Sequence, residues 1–281
     1  MHNPKVWFIT GASRGLGLDI TKAVLAAGDQ VVATVRSKPE DLVAQLNSQD
    51  LHVLVLDVTQ ESQAHKAIQE AIAIFGQLDV LVNNAGFGLL SAVEEATDQA
   101  IRHMFDTNVF GTLNVIRAAL PYFRQQRRGH IINLSSVGGL VGSPGWGLYA
   151  STKFAVEGFS EALAKELAPL HIHVTVIEPG YFRTDFLDSS SLNTSATVIE
   201  DYAATVGKMR ARACEVNKQQ PGDPRKLAAA LVRIAHSDNP PLHLPLGKDA
   251  LESYQAKTVL FQNDIDAWHE VIVGTDYDQV H

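Results

Sequence analysis

Short apolar runs alternate along the chain with longer segments in which apolar residues recur every three or four positions. The short runs predict strands at residues 6–10, 31–35, 51–57, 78–82, 130–134, 171–177 and 242–246. The helical period predicts helices at residues 18–27, 62–75, 100–123, 148–167 and 225–236. Gly28 is expected to end the first helix, and Pro121 to disturb the end of the third. This alternation predicts an α/β fold, with a doubly wound parallel sheet and helices on both faces.

The alternation stops after Pro179 and Gly180. Residues 181–222 are polar and rich in Ser, Thr and Ala, and they show no clear strand. We expect a lid-like segment there, carrying one or two helices. Residues 247–281 form a predicted C-terminal extension, a helix with an irregular end, which either covers the pocket or alters subunit contacts. No linker separates a second domain, so residues 1–281 are predicted to form one domain.

Composition narrows the class of protein. The 281 residues include 31 Asp and Glu against 23 Lys and Arg, a formal net charge of −8, which argues against nucleic acid as a partner. The single cysteine, Cys214, excludes an internal disulfide and fits a reducing compartment. The apolar run after Met1, His2 and Asn3 is too short for a signal peptide, and no apolar stretch is long enough to span a membrane. We therefore expect a cytoplasmic protein without a membrane partner.

The turn between the first predicted strand and helix carries three glycines in the spacing G-x-x-x-G-x-G. Gly11, Gly15 and Gly17 would let the backbone turn sharply and approach a pyrophosphate. The helix start supplies free N–H groups and a partial positive charge for that anion. Glycines alone also fit a plain tight turn, but this position favours dinucleotide binding. The other loop residues predicted to contact the cofactor are Ser13, Arg14 and Leu16.

The end of the second predicted strand indicates which dinucleotide binds. NAD enzymes place an acidic residue about 20 residues after the glycines to bind the ribose hydroxyls. Residues 33–38 contain no Asp or Glu, and Arg36 could hold a 2′-phosphate, with Arg14 closing the other side. The alternative is that both arginines are ordinary surface residues. NADP, used as NADPH, is therefore favoured over NAD.

Two further segments follow predicted strands. Asp57, followed by Val58, could accept a hydrogen bond from the adenine amino group, or it could cap a helix before Thr59. The small and amide residues Asn84, Ala85 and Gly86 would let the chain pass close to the adenine ribose. The alternative for this second segment is an ordinary turn.

Tyr149 and Lys153 stand four residues apart on a predicted helix, so both project from one face. A free phenol has a pKa near 10, too high for acid–base work at neutral pH, and a nearby ammonium lowers that pKa. Such a pair also occurs by chance. Ser136, at the end of a strand, could bind a substrate carbonyl. Asn108, within the preceding long helix, could hold a water next to the lysine.

These motifs in this order resemble the short-chain dehydrogenase/reductase family in its single-domain form, well over about residues 5–180 and loosely over 225–246. The motifs that carry the resemblance are Thr10-Gly11-x-x-x-Gly15-x-Gly17, Asp57, Asn83-Asn84-Ala85-Gly86, Asn108, Ser136, Tyr149-x-x-x-Lys153 and Pro179-Gly180. The resemblance implies a Rossmann-type domain and an NADP-dependent oxidoreductase of the carbonyl reductase or alcohol dehydrogenase type. It also implies a homodimer or homotetramer formed through the two long helices.

The resemblance also implies a role for each matching residue. Tyr149 would be the general acid, and Lys153 would lower its pKa and bind the nicotinamide ribose. Ser136 would orient the carbonyl, and Asn108 would hold a water in a proton relay. Both Tyr149 and Lys153 count among the cofactor-binding residues as well. The later cofactor-binding segment is expected to contain Pro179, Gly180, Phe182 and Thr184.

The predicted substrate pocket is apolar, which favours a hydrophobic ketone, aldehyde or secondary alcohol. Its expected lining is Phe87, Leu140, Val141, Gly142, Trp146, Tyr181, Phe182 and Phe186, although each aromatic could instead be simple packing. The histidines form no metal-binding pattern, so no metal is expected. Two alternatives remain: an NAD-dependent hydroxysteroid or retinol-type dehydrogenase, and a non-catalytic dinucleotide sensor.

Overall fold

A seven-stranded parallel sheet with helices on both faces forms the centre of the structure, a computed structural model that describes residues 4–277. The strands are β1 (Val6–Ile9), β2 (Gln30–Val35), β3 (Leu51–Val55), β4 (Val80–Asn83), β6 (Gly129–Leu134), β7 (Ile172–Pro179) and β9 (His243–Leu246). Their order in the sheet is β3-β2-β1-β4-β6-β7-β9. The chain winds outward in both directions from β1 and β4. The predicted α/β, doubly wound Rossmann-type fold is thereby confirmed.

The helices cover two separate apolar cores. One face of the sheet carries α1 (Gly15–Ala26), α2 (Pro39–Leu46) and α8 (Pro224–Ala235). The other face carries α3 (Glu61–Phe75), α5 (Thr112–Gln126) and α6 (Gly147–Leu167). In β1, Trp7 and Ile9 enter the first core and Phe8 the second, because successive strand side chains point to opposite faces.

A second, two-stranded parallel sheet ties the polar segment 181–222 to the main body. Its strands are β5 (Gly88–Leu90) and β8 (Leu192–Thr194). The expectation of a lid-like segment without a strand is therefore wrong in part, since β8 lies within it. The segment also holds α7 (Lys208–Val216), in keeping with the expected one or two helices. Strand β8 has only three residues, a run too short for the sequence pattern to predict a strand.

The predicted helix at 100–123 is in fact three pieces. These are α4 (Asp98–Phe105), a π-helical turn Asp106–Gly111, and α5. Pro121 lies inside α5, which continues to Gln126, so the expectation that it disturbs the helix end is wrong. Helix α2 was not predicted at all, because its eight residues make only about two turns, too few for a helical period to show.

The C-terminal extension is helical over most of its described length. It contains α9 (Lys248–Ala267) and α10 (His269–Val273). The expected irregular end at 278–281 lies outside the described residues, as do Met1, His2 and Asn3. None of the helices within residues 4–277 combines the length and apolar character needed to cross a membrane.

Candidate active site

A cleft of about 810 Å³ runs along the carboxyl ends of the strands, from the glycine turn to α6. The crossover between β1 and β4 opens this cleft, as expected for a doubly wound sheet. The predicted residues that line it are Gly11, Ser13, Arg14, Gly15, Leu16, Arg36, Asp57, Val58, Asn84, Ala85, Gly86, Phe87, Ser136, Val141, Trp146, Tyr149, Lys153, Pro179, Gly180, Tyr181, Phe182, Thr184 and Phe186. The fold thus brings residues from the whole chain to one cleft.

Hydrogen bonds from the end of β4 hold the glycine turn. The Asn84 side chain donates from Nδ2 to the carbonyl oxygens of Thr10 (2.9 Å) and Gly11 (3.0 Å). The Thr10 hydroxyl accepts from the N–H groups of Asn84 and Ala85, each at 3.0 Å. Gly11 has φ +67°, a left-handed conformation that favours glycine. The turn is therefore organised by the protein itself.

Gly17 has a packing role rather than a place in the cleft lining. A Cβ on this residue would lie 2.3 Å from the Gly11 carbonyl oxygen and 2.5 Å from Asn84 Nδ2. Only glycine therefore allows α1 to start so close to the turn. The prediction that Gly17 contacts the cofactor has no support in its position, although its backbone keeps the helix start near the cleft.

The end of the cleft beside β2 carries exposed basic side chains, with the carboxylates of Asp41 and Asp57 also in its lining. Arg36, Ser37 and Lys38 line it, and all three are exposed. Sequence reasoning did not assign Lys38, although it stands two residues after Arg36. Asp57 Oδ1 accepts from the Thr59 N–H (3.0 Å) and hydroxyl (2.8 Å), while Gln60 is the N-cap of α3. Asp57 therefore organises a turn rather than capping that helix.

Arg14 points to the polar segment instead of toward Arg36. Its guanidinium donates to the carbonyl oxygen of Ser190 and, from Nη2, to the Ser191 hydroxyl at 2.9 Å. The expectation that Arg14 closes the other side of a 2′-phosphate is not what the structure shows. The physical reason is that residues 190–191 fold over the glycine turn and offer oxygen acceptors there.

Tyr149, Lys153 and Ser136 meet at the opposite end of the cleft. Lys153 Nζ lies 5.7 Å from the centre of the Tyr149 ring and donates to the Leu134 carbonyl oxygen at 2.7 Å. Ser136 Oγ accepts from the Gly138 N–H at 3.0 Å, and a Cβ on Gly138 would lie 3.5 Å from both Ser136 Oγ and the Tyr149 ring. Tyr149 is only 7% exposed. The helical spacing and the strand end therefore produce the predicted cluster.

The burial of this cluster changes its acid–base properties. Burial raises the pKa of the Tyr149 phenol above its ordinary value, and the neighbouring Ser136 hydroxyl opposes that effect. Burial lowers the pKa of Lys153 to about 8, and the nearby charge of Glu157 opposes that change. The expected lowering of the tyrosine pKa by lysine is therefore not seen without a cofactor, because burial dominates the shift. The phenol keeps its proton, which suits a proton donor.

Asn108 lies in the π-helical turn and is buried behind Gly86. Its Nδ2 donates to the Phe87 carbonyl oxygen (2.9 Å) and to Thr152 Oγ1 (3.1 Å), and its Oδ1 accepts from the Phe87 N–H (3.1 Å). Both side-chain N–H donors are thus used within the protein. Asn108 fixes the segment after β4 against α6, and its role in holding a relay water stays a prediction.

Aromatic rings form an apolar wall around Tyr149. The Phe186 ring centre lies 5.6 Å from that of Tyr149 and 6.5 Å from that of Trp146. Leu140 and Gly142 do not line the cleft, so their assignment to the pocket is wrong. Leu140 follows the short helical turn Val137–Gly139, and no atom lies within 4 Å of the position a Gly142 Cβ would take. Pocket residues that sequence reasoning missed include His103, Leu187 and Asn193.

The C-terminal extension reaches the same cleft. Asp249 Oδ2 accepts from the Tyr181 N–H at 2.6 Å, and Ser253 of α9 lines the cleft. A Cβ on Gly180 would lie 2.2 Å from Asp249 Oδ1. Helix α9 therefore holds the chain just after Pro179. No local signal in the sequence pointed to Asp249, because its partners lie 68 or more residues away.

Comparisons with known proteins agree with this geometry. The family model described as short chain dehydrogenase matches residues 5–195. The chain is 39% identical over 244 residues to the 3-ketodihydrosphingosine reductase of Bacteroides thetaiotaomicron, covering 87% of this chain and 88% of that protein. The crystal structure of a short-chain dehydrogenase from Streptomyces avermitilis matches with a TM-score of 0.90 and 38% identity, over 98% of this chain and 100% of the other. ElxO with NADP bound matches with a TM-score of 0.74 and 28% identity, over 89% and 100% of the two chains.

Proposed function

The chain belongs to the short-chain dehydrogenase/reductase family and is an oxidoreductase of that family; from this premise we propose that it transfers a hydride between NADP(H) and a hydrophobic ketone or aldehyde, or the matching secondary alcohol. The observation that carries the proposal is the buried phenol of Tyr149, held protonated beside Ser136 and Lys153 in an apolar-walled end of the cleft. A proton donor at that place serves the reduction of a carbonyl.

The residues present fit a phosphorylated dinucleotide. Gly15 leaves space at the start of α1, where only Thr184 lies within 4 Å of its Cβ position, and there the helix presents free N–H groups to an anion. Gly11 instead packs closely against Ala85. Arg36 and Lys38 place two cations at the far end of the cleft, near the end of β2. A 2′-phosphate would bind there through charge-assisted hydrogen bonds, and ElxO, a relative of known structure, holds NADP.

The nicotinamide, when bound, supplies or accepts the hydride. The chain supplies the proton and the orientation. In reduction, Tyr149 donates its phenolic proton to the substrate oxygen, and the Ser136 hydroxyl orients the same oxygen. Lys153, anchored on Leu134, supplies a positive charge that favours the phenolate once the proton has left. Asn108 keeps Phe87 and Thr152 in place around this cluster.

The apolar wall supports the proposed substrate class. Phe87, Trp146 and Phe186 surround the reactive end, and they favour a substrate with a hydrocarbon portion next to its carbonyl. The Bacteroides relative carries a name that specifies a keto substrate, which agrees with reduction of a ketone. We further propose a homo-oligomer and a cytoplasmic location, the latter because the free thiol of Cys214 suits a reducing compartment.

The test is a turnover assay with purified protein. NADPH and NADH are each offered with ketones and aldehydes that carry long alkyl chains, and with short polar carbonyls as the matched control. We expect loss of nicotinamide absorbance with NADPH and the apolar carbonyls, with kcat/KM about tenfold or more above the NADH value. Equal or better use of NADH would contradict the cofactor proposal, and preference for the polar carbonyls would contradict the substrate class.

A further inference from the structure

Helix α6 carries a line of ionisable side chains that continues past the active site. Tyr149, Lys153, Glu157 and Glu161 stand four residues apart, so they form one stripe along the helix. Glu157 is only 6% exposed and lies one turn beyond Lys153. Its position is close to the end of β6, because a Cβ on Gly139 would approach both Glu157 Oε1 (2.8 Å) and Ser135 Oγ (2.3 Å). The proposed mechanism gives this carboxylate no role.

A second buried carboxylate faces Glu157 from the sheet. Glu178 of β7 is 0% exposed and continues the row of Ile172 and Val174, which pack in the core beneath α6. Among the described residues, Oε2 of Glu178 has no hydrogen-bond donor. Two carboxylates this deeply buried are costly unless a cation or a shared proton compensates them.

His243 of β9 is placed to supply that compensation. Its Nδ1 lies 2.9 Å from Glu178 Oε1 and 3.4 Å from Glu157 Oε2. On the outer side, its Nε2 lies 3.7 Å from Glu161 Oε1. The imidazole is 40% exposed, so it can exchange protons with solvent. The charged groups around Glu157 are thus Lys153 and Glu161 on α6, Glu178 on β7 and His243 on β9.

The acid–base shifts agree with this arrangement. Burial raises the pKa of Glu178 to about 7, and burial shifts the pKa of Glu157 in the same direction. The Glu157 charge opposes the burial effect that lowers the pKa of Lys153 to about 8. Loss of that negative charge would therefore release the proton of Lys153 more easily.

We propose that Glu157 is a positioning residue that keeps Lys153 charged, and that His243 controls the charge of Glu157 from the protein surface through Glu178. A protonated imidazole stabilises both carboxylates in their ionised form. A neutral imidazole leaves the pair to take up a proton from solvent, and Lys153 then loses part of its counter-charge. The inference rests on the proposed function, since the charge of Lys153 matters there for proton donation by Tyr149.

Glu157→Gln is the first test, because the amide keeps the shape of the side chain and removes its charge. Two readouts follow Lys153: the alkaline limb of the pH profile of single-turnover NADPH oxidation, and NMR titration of the lysine side chain in ¹³C-labelled protein without cofactor. Lys153→Arg identifies the resonance. We expect both readouts to move to lower pH by about one unit. Glu166→Gln, on the same helix and exposed to solvent, is the matched control and should move neither.

His243 provides a rescue experiment. His243→Gln should shift the midpoints of both readouts to lower pH. His243→Arg carries a cation that does not titrate, so it should keep both midpoints at or above the wild-type values. If Glu157→Gln does not fold, the two His243 variants decide the matter alone.

Three results would overturn the inference. The first is an unchanged titration of Lys153 in Glu157→Gln and His243→Gln, and the second is an equal shift in Glu166→Gln. The third is a shift that EDTA abolishes, which would assign the effect to a bound divalent cation. A wild-type protein without NADPH turnover would contradict the proposed function instead, and the NMR titration would still decide this proposal.

Discussion

The two ends of the cleft are built differently. At the catalytic end, Tyr149, Lys153 and Asn108 are buried, and the side chains of Lys153 and Asn108 are hydrogen-bonded within the protein. At the far end, Arg36 and Lys38 are exposed side chains on the surface of the cleft. The catalytic groups are therefore held by the protein itself, whereas the side chains of Arg36 and Lys38 make no hydrogen bond or ion pair within residues 4–277. Changes at the first end should affect rate and stability, and changes at the second should affect cofactor affinity alone.

The largest effect is expected from Tyr149→Phe. Removing the phenolic hydroxyl deletes the proton donor and leaves the ring packing with Trp146 and Phe186. We expect kcat to fall by about 10² to 10⁴, with the dissociation constant of NADPH, measured by fluorescence, nearly unchanged. Tyr122→Phe, on α5 and outside the cleft lining, is the control. Retained turnover in the Tyr149 variant would mean that the proton comes from another group.

Asn108→Ala should lower both the catalytic rate and the stability of the fold, because Asn108 lies at the buried end. The change leaves the Phe87 N–H and carbonyl without their side-chain partner, which costs about 1–3 kcal/mol of unfolding free energy. We expect a lower midpoint in urea together with a lower kcat. Asn114→Ala removes a single bond to the Val58 carbonyl elsewhere on the same helical stretch. An equal loss of kcat in both variants would contradict a specific role of Asn108 at the catalytic end.

Arg36→Gln should show that the exposed end acts on cofactor choice alone. Loss of a charge-assisted bond to a 2′-phosphate is worth about 1.5–3 kcal/mol, so the KM for NADPH should rise about 10- to 100-fold. The KM for NADH and the thermal midpoint should stay the same, because Arg36 is exposed. A parallel rise in the KM of both cofactors would contradict a phosphate-specific role. Lys38→Gln measures how much the neighbouring lysine contributes to NADPH binding.

A smaller effect is expected at the lid-like segment beside the catalytic end. Glu95 is buried, pairs with Arg210 and accepts from the N–H groups of Ala92 and Ile199. These hydrogen bonds, led by that of Arg210, lower the pKa of Glu95 to about 2. We expect Glu95→Gln to raise the substrate KM severalfold and to speed hydrogen exchange around residue 199.

The ion pair between Glu95 and Arg210 should depend on pH, because the pKa of Glu95 is lowered. The ionised carboxylate stabilises the fold at all pH values above its ordinary unfolded pKa of 4.5, and the contribution is lost as pH falls from there toward about 2. The destabilisation by Glu95→Gln should therefore be full at neutral pH and shrink in acid. Glu94→Gln, which loses one exposed bond to Tyr202, is the control. A pH-independent difference between the variant and wild type would contradict the role of the charge.

Much of the site could be predicted because its signals are local. The glycine turn, the end of β2 and the four-residue spacing of Tyr149 and Lys153 each lie within a few residues of chain. The errors fall where distant segments meet. Arg14 bonds residues 176 and 177 positions away, and β8 is a strand because it pairs with β5. Leu140 belongs to a short turn whose direction no periodicity reveals.

By itself, the order of apolar runs and helical periods determined the α/β class and the place of each chemical motif at a strand end or helix start. Covalent spacing decides such features, because side-chain direction in helices and strands follows from backbone geometry alone. Only the tertiary structure decided how deeply Tyr149 is buried, which way its pKa shifts, and that Glu157, Glu178 and His243 come together. Burial and charge contacts depend on which segments pack against each other, and that is a property of the folded chain.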